Sequence, residues 1–149
     1  MRAARRSVTP PLEFFLDRSL GGRVVAEALR QAGQTVHVHD EHFPQDAKDV
    51  EWLTVAGRRG WIVLTKDERI RYRAIEQRAL MQSRVGAFIV TARGLSGSDT
   101  ATICVNGLPR ICRLAAKSPR PFIATISRSS AVTLIMSGPD ALGHRPDIG

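Results

Sequence analysis

The chain has 149 residues, 43% of them hydrophobic, which is enough for one domain with a buried core. No apolar run approaches the roughly 20 residues of a membrane span. The basic N-terminus also leads into no apolar signal-peptide region, so a cytoplasmic protein without membrane association is expected. The net charge of +8 favours a polyanionic partner or an acidic protein partner.

Both ends of the chain differ in composition from its centre. Residues 1–12 begin M-R-A-A-R-R and are expected to form a flexible basic arm. Residues 137–149 are rich in glycine and proline and are expected to form a disordered tail. The predicted folded domain therefore covers residues 13–136.

Short apolar runs alternate with segments of helical periodicity along the predicted domain. The predicted strands lie at residues 13–17, 35–39, 61–65, 87–91, 121–126 and 131–135. The predicted helices lie at residues 21–32, 46–59, 67–83 and 98–117, the last with a break near Gly107 and Pro109. This alternation indicates βαβ units and an α/β fold, namely a three-layer α/β/α sandwich with a mainly parallel central sheet. The last two strands are the expected exception, because they read as a hairpin.

Aspartates fall where predicted strands end and predicted helices begin. Asp17 closes the first strand, Asp40 closes the second, and Asp67 follows the third, while Asp46 and Asp49 open a helix. Strand ends and the starts of following helices share one edge of a parallel sheet, so these carboxylates are predicted to meet there. Helix capping explains any one of them, but a cluster of carboxylates needs a compensating cation. Oxygen ligands favour Mg²⁺ or Mn²⁺ over zinc.

The segment V-H-V-H-D-E-H offers a different metal site, because closely spaced imidazoles are typical zinc ligands. It contains His37, His39 and His42, and it resembles the His-x-His-x-Asp-His signature of metallo-β-lactamase-like hydrolases, with Glu41 in the Asp place. That fold draws further ligands from later in a longer chain. Here the later histidine is His144, in the predicted tail. Packing histidines are therefore the preferred interpretation.

Two stretches resemble the PIN-domain nuclease superfamily: F-F-L-D-R-S-L-G, and D-V-E-W-L-T-V-A-G-R-R-G-W-I-V-L-T-K-D-E-R-I-R. More narrowly, they are similar to PIN-like toxins of the VapC45 type, from VapBC-like toxin–antitoxin pairs. The most specific parts are the strand-end Asp17, the D-x-E-x-L-x-x-A pattern that begins at Asp49, and the L-T-K-D motif that ends at Asp67.

This resemblance implies a divalent-metal-dependent endoribonuclease, the toxin of a type II toxin–antitoxin pair, that hydrolyses RNA phosphodiester bonds with Mg²⁺ or Mn²⁺. Asp17, Asp49 and Asp67 match the family's acids by position. Asp40, with Glu41 behind it, is the substitute for the remaining acid. These are the expected catalytic and metal-binding residues. The expected partners are an RNA substrate, a cognate antitoxin protein and a second copy of the chain in a homodimer.

Basic residues surround the predicted acidic rim, and a phosphate backbone could be held there. The expected phosphate contacts are Arg18, Lys66, Arg69 and Arg71. The alternative is an ordinary solvated helix face with ion pairs along the helix. Trp52 and Trp61 are interpreted as core or interface residues, with stacking on a base as the alternative.

Three other functions compete with a nuclease. A haloacid-dehalogenase-type phosphatase needs a second aspartate two residues after the strand-end acid, where this chain has Ser19. A response-regulator receiver domain would use Asp67 as phosphoacceptor, but it would leave Asp49 without a role. The remaining alternative is a catalytically inactive PIN-like module that binds nucleic acid or protein.

Overall fold

The computed structural model describes residues 12–20 and 23–137, so nearly all of the predicted arm and tail lies outside the described residues. The strands are β1 (Glu13–Leu16), β2 (Thr35–Val38), β3 (Ile62–Thr65), β4 (Gly86–Val90), β5 (Phe122–Ile126) and β6 (Val132–Ser137). The helices are α1 (Arg23–Gln31), α2 (His39–His42), α3 (Asp49–Arg59), α4 (Arg69–Tyr72), α5 (Ala74–Gln82) and α6 (Gly97–Lys117). A 3-10 turn at Arg18–Leu20 follows β1.

The strands form one sheet in the order β2-β1-β3-β4-β5-β6. All neighbours are parallel except β5 and β6, which form the predicted antiparallel hairpin. Every residue of β3 and of β4 is buried, because helices cover both faces of a parallel sheet. The predicted α/β class with a mainly parallel sheet is confirmed.

Helices pack on both faces of the sheet and complete the predicted three layers. On one face, α1 and α6 bury side chains such as Leu29 and Ile111 against Phe14. On the other face, α3, α4 and α5 pack against β1, β3 and β4, with Phe15 and Trp52 at the centre. The rings of Phe15 and Trp52 stack with centroids 5.2 Å apart. Both tryptophans belong to this second core and are buried, so the prediction that they pack inside is confirmed.

Three predicted element boundaries near the acids are wrong. Strand β2 ends at Val38, and the chain turns at once into α2. The following helix begins at Asp49 rather than at residue 46, so Asp46 does not open or cap it. The predicted helix over residues 67–83 is two helices, because Arg73 between them has extended backbone angles (φ −111°, ψ 122°).

Helix α6 runs without the interruption expected at Gly107 and Pro109. Pro109 forfeits one backbone hydrogen bond, and its side chain is exposed. Buried neighbours, including Leu108 and Ile111, hold the helix to the sheet on either side of the proline. The packing of α6 against the sheet thus outweighs the tendency of glycine and proline to interrupt a helix.

Helix α6 also carries both cysteines of the chain. Cys104 and Cys112 are unpaired thiols on this helix. Burial raises the pKa of the Cys104 thiol to about 12, so it packs as a small hydrophobe. Among the described residues, no helix is long and apolar enough to cross a membrane.

The close approach of α3 to the end of α5 depends on Gly57. A Cβ at this position would lie 1.8 Å from the backbone oxygen of Ser83. We expect Gly57→Ala to lower the free energy of unfolding by roughly 2 kcal/mol, because overpacking against rigid backbone outweighs alanine's better helix propensity. Urea denaturation measures this change.

Gly97→Ala is the matched control for that substitution. Its added Cβ would meet Val24 at 3.5 Å, an ordinary van der Waals distance. Little change, or a small gain in stability, is expected. Equal stability losses in the two variants would contradict the interpretation of Gly57.

Candidate active site

The order of the strands places a crevice at the carboxyl ends of β1 and β3. From β1 the chain first adds β2 on one side, then crosses to add β3 on the other, and ligands bind at such switch points. Asp17 directly follows β1, and Asp67 follows β3 by two residues. A cavity of about 180 Å³ opens there, lined by Asp17, Arg18, Ser19, His39, Ala47, Asp49, Trp52, Asp67 and Arg69.

Asp17 is a buried acid in the cavity wall and is only 8% exposed. The hydroxyl and the backbone N–H of Ser19 donate to its Oδ1 (2.5 and 2.9 Å), and the Thr65 hydroxyl donates to its Oδ2 (2.6 Å). Within the described ranges, no basic side chain forms an ion pair with Asp17. Burial therefore raises the pKa of the Asp17 carboxyl, although these hydrogen bonds act in the opposite direction.

The two hydroxyls that hold Asp17 also bind the loop after β3. Thr65 Oγ1 accepts the backbone N–H of Asp67 (2.9 Å), and Ser19 Oγ accepts that of Lys66 (2.8 Å). Sequence reasoning missed Ser19 and Thr65 as site residues. The available signal was their position in the sequence: Ser19 lies two residues after Asp17, and Thr65 lies two residues before Asp67.

Asp67 is held by a basic side chain rather than by hydroxyls. The guanidinium of Arg69 donates through Nε to Oδ1 (2.9 Å) and through Nη2 to Oδ2 (2.6 Å), and the backbone N–H of Arg69 donates to Oδ1 (3.0 Å). These bonds hold the pKa of the Asp67 carboxyl below its usual value and raise the pKa of the guanidinium.

Asp49, the first residue of α3, completes the set of acids in the cavity. Its Oδ1 accepts a hydrogen bond from the indole Nε1 of Trp52 (3.2 Å). Its Oδ2 lies 4.0 Å from Nη2 of Arg69. One guanidinium thus contacts two carboxylates, Asp49 and Asp67.

The structure does not bring Asp40 or Glu41 into the cavity. Because β2 ends before them, both residues lie on α2 instead of at a strand end. The half-exposed Asp40 pairs with Nδ1 of the buried His39 (3.0 Å) and lies 3.9 Å from Nε of Arg18. Glu41 pairs with Arg30 at 3.4 Å. The expectation that Asp40 shares the rim as a strand-end acid is therefore wrong.

In the ranges 12–20 and 23–137, no three His, Cys, Asp or Glu side chains are arranged closely enough to hold a metal ion. The histidines of the V-H-V-H-D-E-H segment divide between two places. His37 and His42 contact one another at the edge strand (Nδ1 to Nε2, 3.2 Å), and His37 stacks on Trp61. His39 packs inside and lines the acidic cavity. His144 lies outside the described residues.

The four predicted phosphate contacts occupy different surroundings. Arg18 lines the cavity and donates to the backbone oxygen of Gln45 (2.9 Å). Arg69 lines the cavity but is held by Asp67. Lys66 and Arg71 do not line the cavity. The backbone N–H of Lys66 reaches Ser19 in the cavity wall, and Arg71 pairs with Glu68 at 3.7 Å.

A family model described as a PIN-like domain matches residues 12–92, which is more than half of the chain. The matched span includes Asp17, Asp49 and Asp67. The chain belongs to the PIN-like domain family. The resemblance read from the F-F-L-D and L-T-K-D stretches is thereby confirmed.

One relative of this PIN-like domain is a Mycobacterium tuberculosis protein named "Putative ribonuclease VapC45". The two are 33% identical over 126 residues, a span that covers 82% of this chain and 91% of the relative. The similarity thus extends beyond residues 12–92 into the rest of the domain. No solved structure matches the chain.

The buried charge of Asp17 leads to a prediction on stability. Its pKa in the folded state is raised above the ordinary value of 3.8, so the ionised carboxyl destabilises the fold at neutral pH. Asp17→Asn should therefore raise the free energy of unfolding at pH 7 by on the order of 1 kcal/mol in the presence of EDTA. The gain should shrink as the pH falls through the native pKa, because the wild-type carboxyl then becomes neutral in the folded state, and below 3.8 it is protonated in both states.

Urea denaturation between pH 7 and pH 4 measures the difference between the two proteins. Asp40→Asn is the matched control, because its carboxyl is 58% exposed and should give almost no difference. A less stable Asp17→Asn protein at pH 7 would contradict the predicted cost of burying this charge.

Proposed function

We propose that this PIN-like domain is a divalent-metal-dependent endoribonuclease and acts as the toxin of a type II toxin–antitoxin pair. The observation that carries the proposal is the convergence of Asp17, Asp49 and Asp67, from three separate segments, on one cavity at the switch point of the sheet. The relative named as a ribonuclease, at 33% identity over most of the chain, supports this activity.

The oxygen donors that line the cavity are of the type that a hard divalent cation prefers. Among the described residues, no three of these carboxylates are close enough together to hold an ion, so binding one requires them to move closer. Asp17 is a buried carboxylate that neutral donors hold, and Asp49 and Asp67 add oxygen donors beside it. Such oxygen sets favour Mg²⁺ or Mn²⁺. Asp17, Asp49 and Asp67 are thus the proposed ligands, and Asp40 is left out because its carboxylate lies outside the cavity.

Hydrogen bonds from neighbouring side chains hold the proposed ligands in position. Ser19 and Thr65 fix both oxygens of Asp17, and the indole of Trp52 fixes one oxygen of Asp49. Arg18, at the cavity wall, is the side chain best placed to hold an RNA phosphate. A bound divalent ion supplies the remaining chemistry, since it lowers the pKa of water and offsets negative charge on the phosphate.

The proposed partners are an RNA substrate, an antitoxin protein that covers the acidic cavity, and a second copy of the chain in a homodimer. The net charge of +8 favours a polyanionic substrate. The antitoxin proposal comes from the similarity to toxins of the VapC45 type. An antitoxin bound over the cavity would prevent RNA from reaching it.

A catalytically inactive binding module is the second candidate, and one observation favours it. Arg69 contacts both Asp67 and Asp49, and it neutralises part of the charge that would otherwise attract a metal ion. An inactive module would keep this arrangement permanently. A nuclease would have to release it.

Cleavage of RNA tests the proposal and separates the two candidates. Purified protein, freed of any bound antitoxin, is incubated with structured RNAs and Mg²⁺ or Mn²⁺. We expect cleavage that EDTA abolishes. Asp67→Asn should reduce the rate by at least about 100-fold, the scale on which loss of a metal-linked catalytic group acts, with the fold unchanged.

Asp46→Asn is the matched control, because this exposed acid has the same charge but does not line the cavity. Its rate should equal that of the wild type. Cleavage that survives EDTA, or that persists in Asp67→Asn, would refute the metal-nuclease proposal. If none of a broad set of RNAs is cleaved, the inactive binding module becomes the better interpretation.

A further inference from the structure

Arg69 contacts two of the three proposed metal ligands. Its guanidinium makes a two-pronged contact with Asp67, and its Nη2 lies 2.6 Å from Oδ2 of Asp67 and 4.0 Å from Oδ2 of Asp49. Its Nε also contacts both oxygens of Asp67, at 2.9 and 3.1 Å. A single positive group therefore lies between two of the three proposed metal ligands.

A divalent ion and this guanidinium compete for the same oxygens. A carboxylate offers about four acceptor positions. The Arg69 side chain and backbone amide already use both oxygens of Asp67. Charge-assisted, two-pronged bonds of this kind are the strongest that an arginine makes. A metal ion can take Asp67 as a ligand only if this contact is broken or rearranged.

The position of Arg69 permits that rearrangement. Its side chain is 50% exposed, so the guanidinium can leave Asp67 and enter water without opening the core. The helix that carries it is anchored separately by the buried Ile70. The side chain can thus move while α4 stays in place.

We propose that Arg69 is an internal counter-cation that a divalent metal ion must displace from Asp67 and Asp49, so that Arg69 sets the metal affinity of the cavity. This inference rests on the proposed metal-dependent function and concerns the regulation of the same site. The bound guanidinium keeps the carboxylates from repelling one another when no metal is present. Once displaced, it remains beside the cavity, where it can meet an RNA phosphate.

Arg71 provides a control that separates this contact from a general charge effect. It lies two residues further along α4 and pairs with Glu68 rather than with an acid of the cavity. Arg71→Gln therefore removes the same charge without touching Asp67. Arg69→Lys is a second variant, which keeps the charge but cannot form the two-pronged contact.

Mn²⁺ binding to the full, EDTA-stripped chain is measured by electron paramagnetic resonance of the free ion. We expect Arg69→Gln to bind Mn²⁺ roughly three- to tenfold more tightly than the wild type, because the ion no longer breaks a charged hydrogen-bonded pair. Arg69→Lys should lie between the two. Arg71→Gln should stay close to the wild type. Circular dichroism checks that each variant is folded.

Binding by Arg69→Gln that is equal to or weaker than binding by Arg71→Gln would overturn the proposal, because Arg69 would then support the metal site instead of competing with it. If Arg69→Gln does not fold, Arg69→Lys decides by the same criterion. Failure of the proposed function gives a different result. In that case no protein binds Mn²⁺, or Mn²⁺ binding is unaffected by Asp67→Asn, and both proposals fall together.

Discussion

The site is organised around one buried carboxylate, Asp17, at the end of β1, which lies between β2 and β3 in the sheet. Within the described residues it has no ionic partner, so neutral donors must compensate for the water that it lost. Ser19 and Thr65 supply these donors and in turn accept backbone amides of the loop after β3. The geometry of two neighbouring strand ends therefore depends on how a single charge is solvated.

The hydrogen bonds to Asp17 keep their geometry because β1 and β3 are held rigidly at this point of the sheet. Strands β1 and β3 are hydrogen-bonded neighbours, and helices cover both of their faces. Their carboxyl ends cannot move apart without exposing apolar side chains. A desolvated acid reduces stability, and such costs are common at sites selected for function rather than for stability. The well-packed core on both sides of β1 offsets this cost.

The other two acids show how the surroundings give chemically identical side chains different properties. Asp17 is held by hydroxyls and has a raised pKa, whereas Asp67 is held by Arg69 and has a lowered pKa. Asp49 accepts an indole N–H of Trp52 on one oxygen. The cavity thus combines Asp67, which has an ionic partner in Arg69, with Asp17, which has none within the described residues. The guanidinium of Arg69 is the element whose position decides whether the acids can act together.

The sequence by itself determined the α/β class and the alternation of strands and helices, because apolar runs and helical periodicity report burial directly. It predicted a shared rim for five aspartates, and three of them, Asp17, Asp49 and Asp67, line the cavity. Only the tertiary structure decided which polar groups become partners. It placed Asp40 on a helix outside the cavity lining, since the chain turns after Val38, and it paired Arg69 with Asp67. It also revealed Ser19 and Thr65 as the donors to Asp17. Hydrogen bonds of about 3 Å depend on how loops from distant parts of the chain meet, and no local pattern encodes that distance.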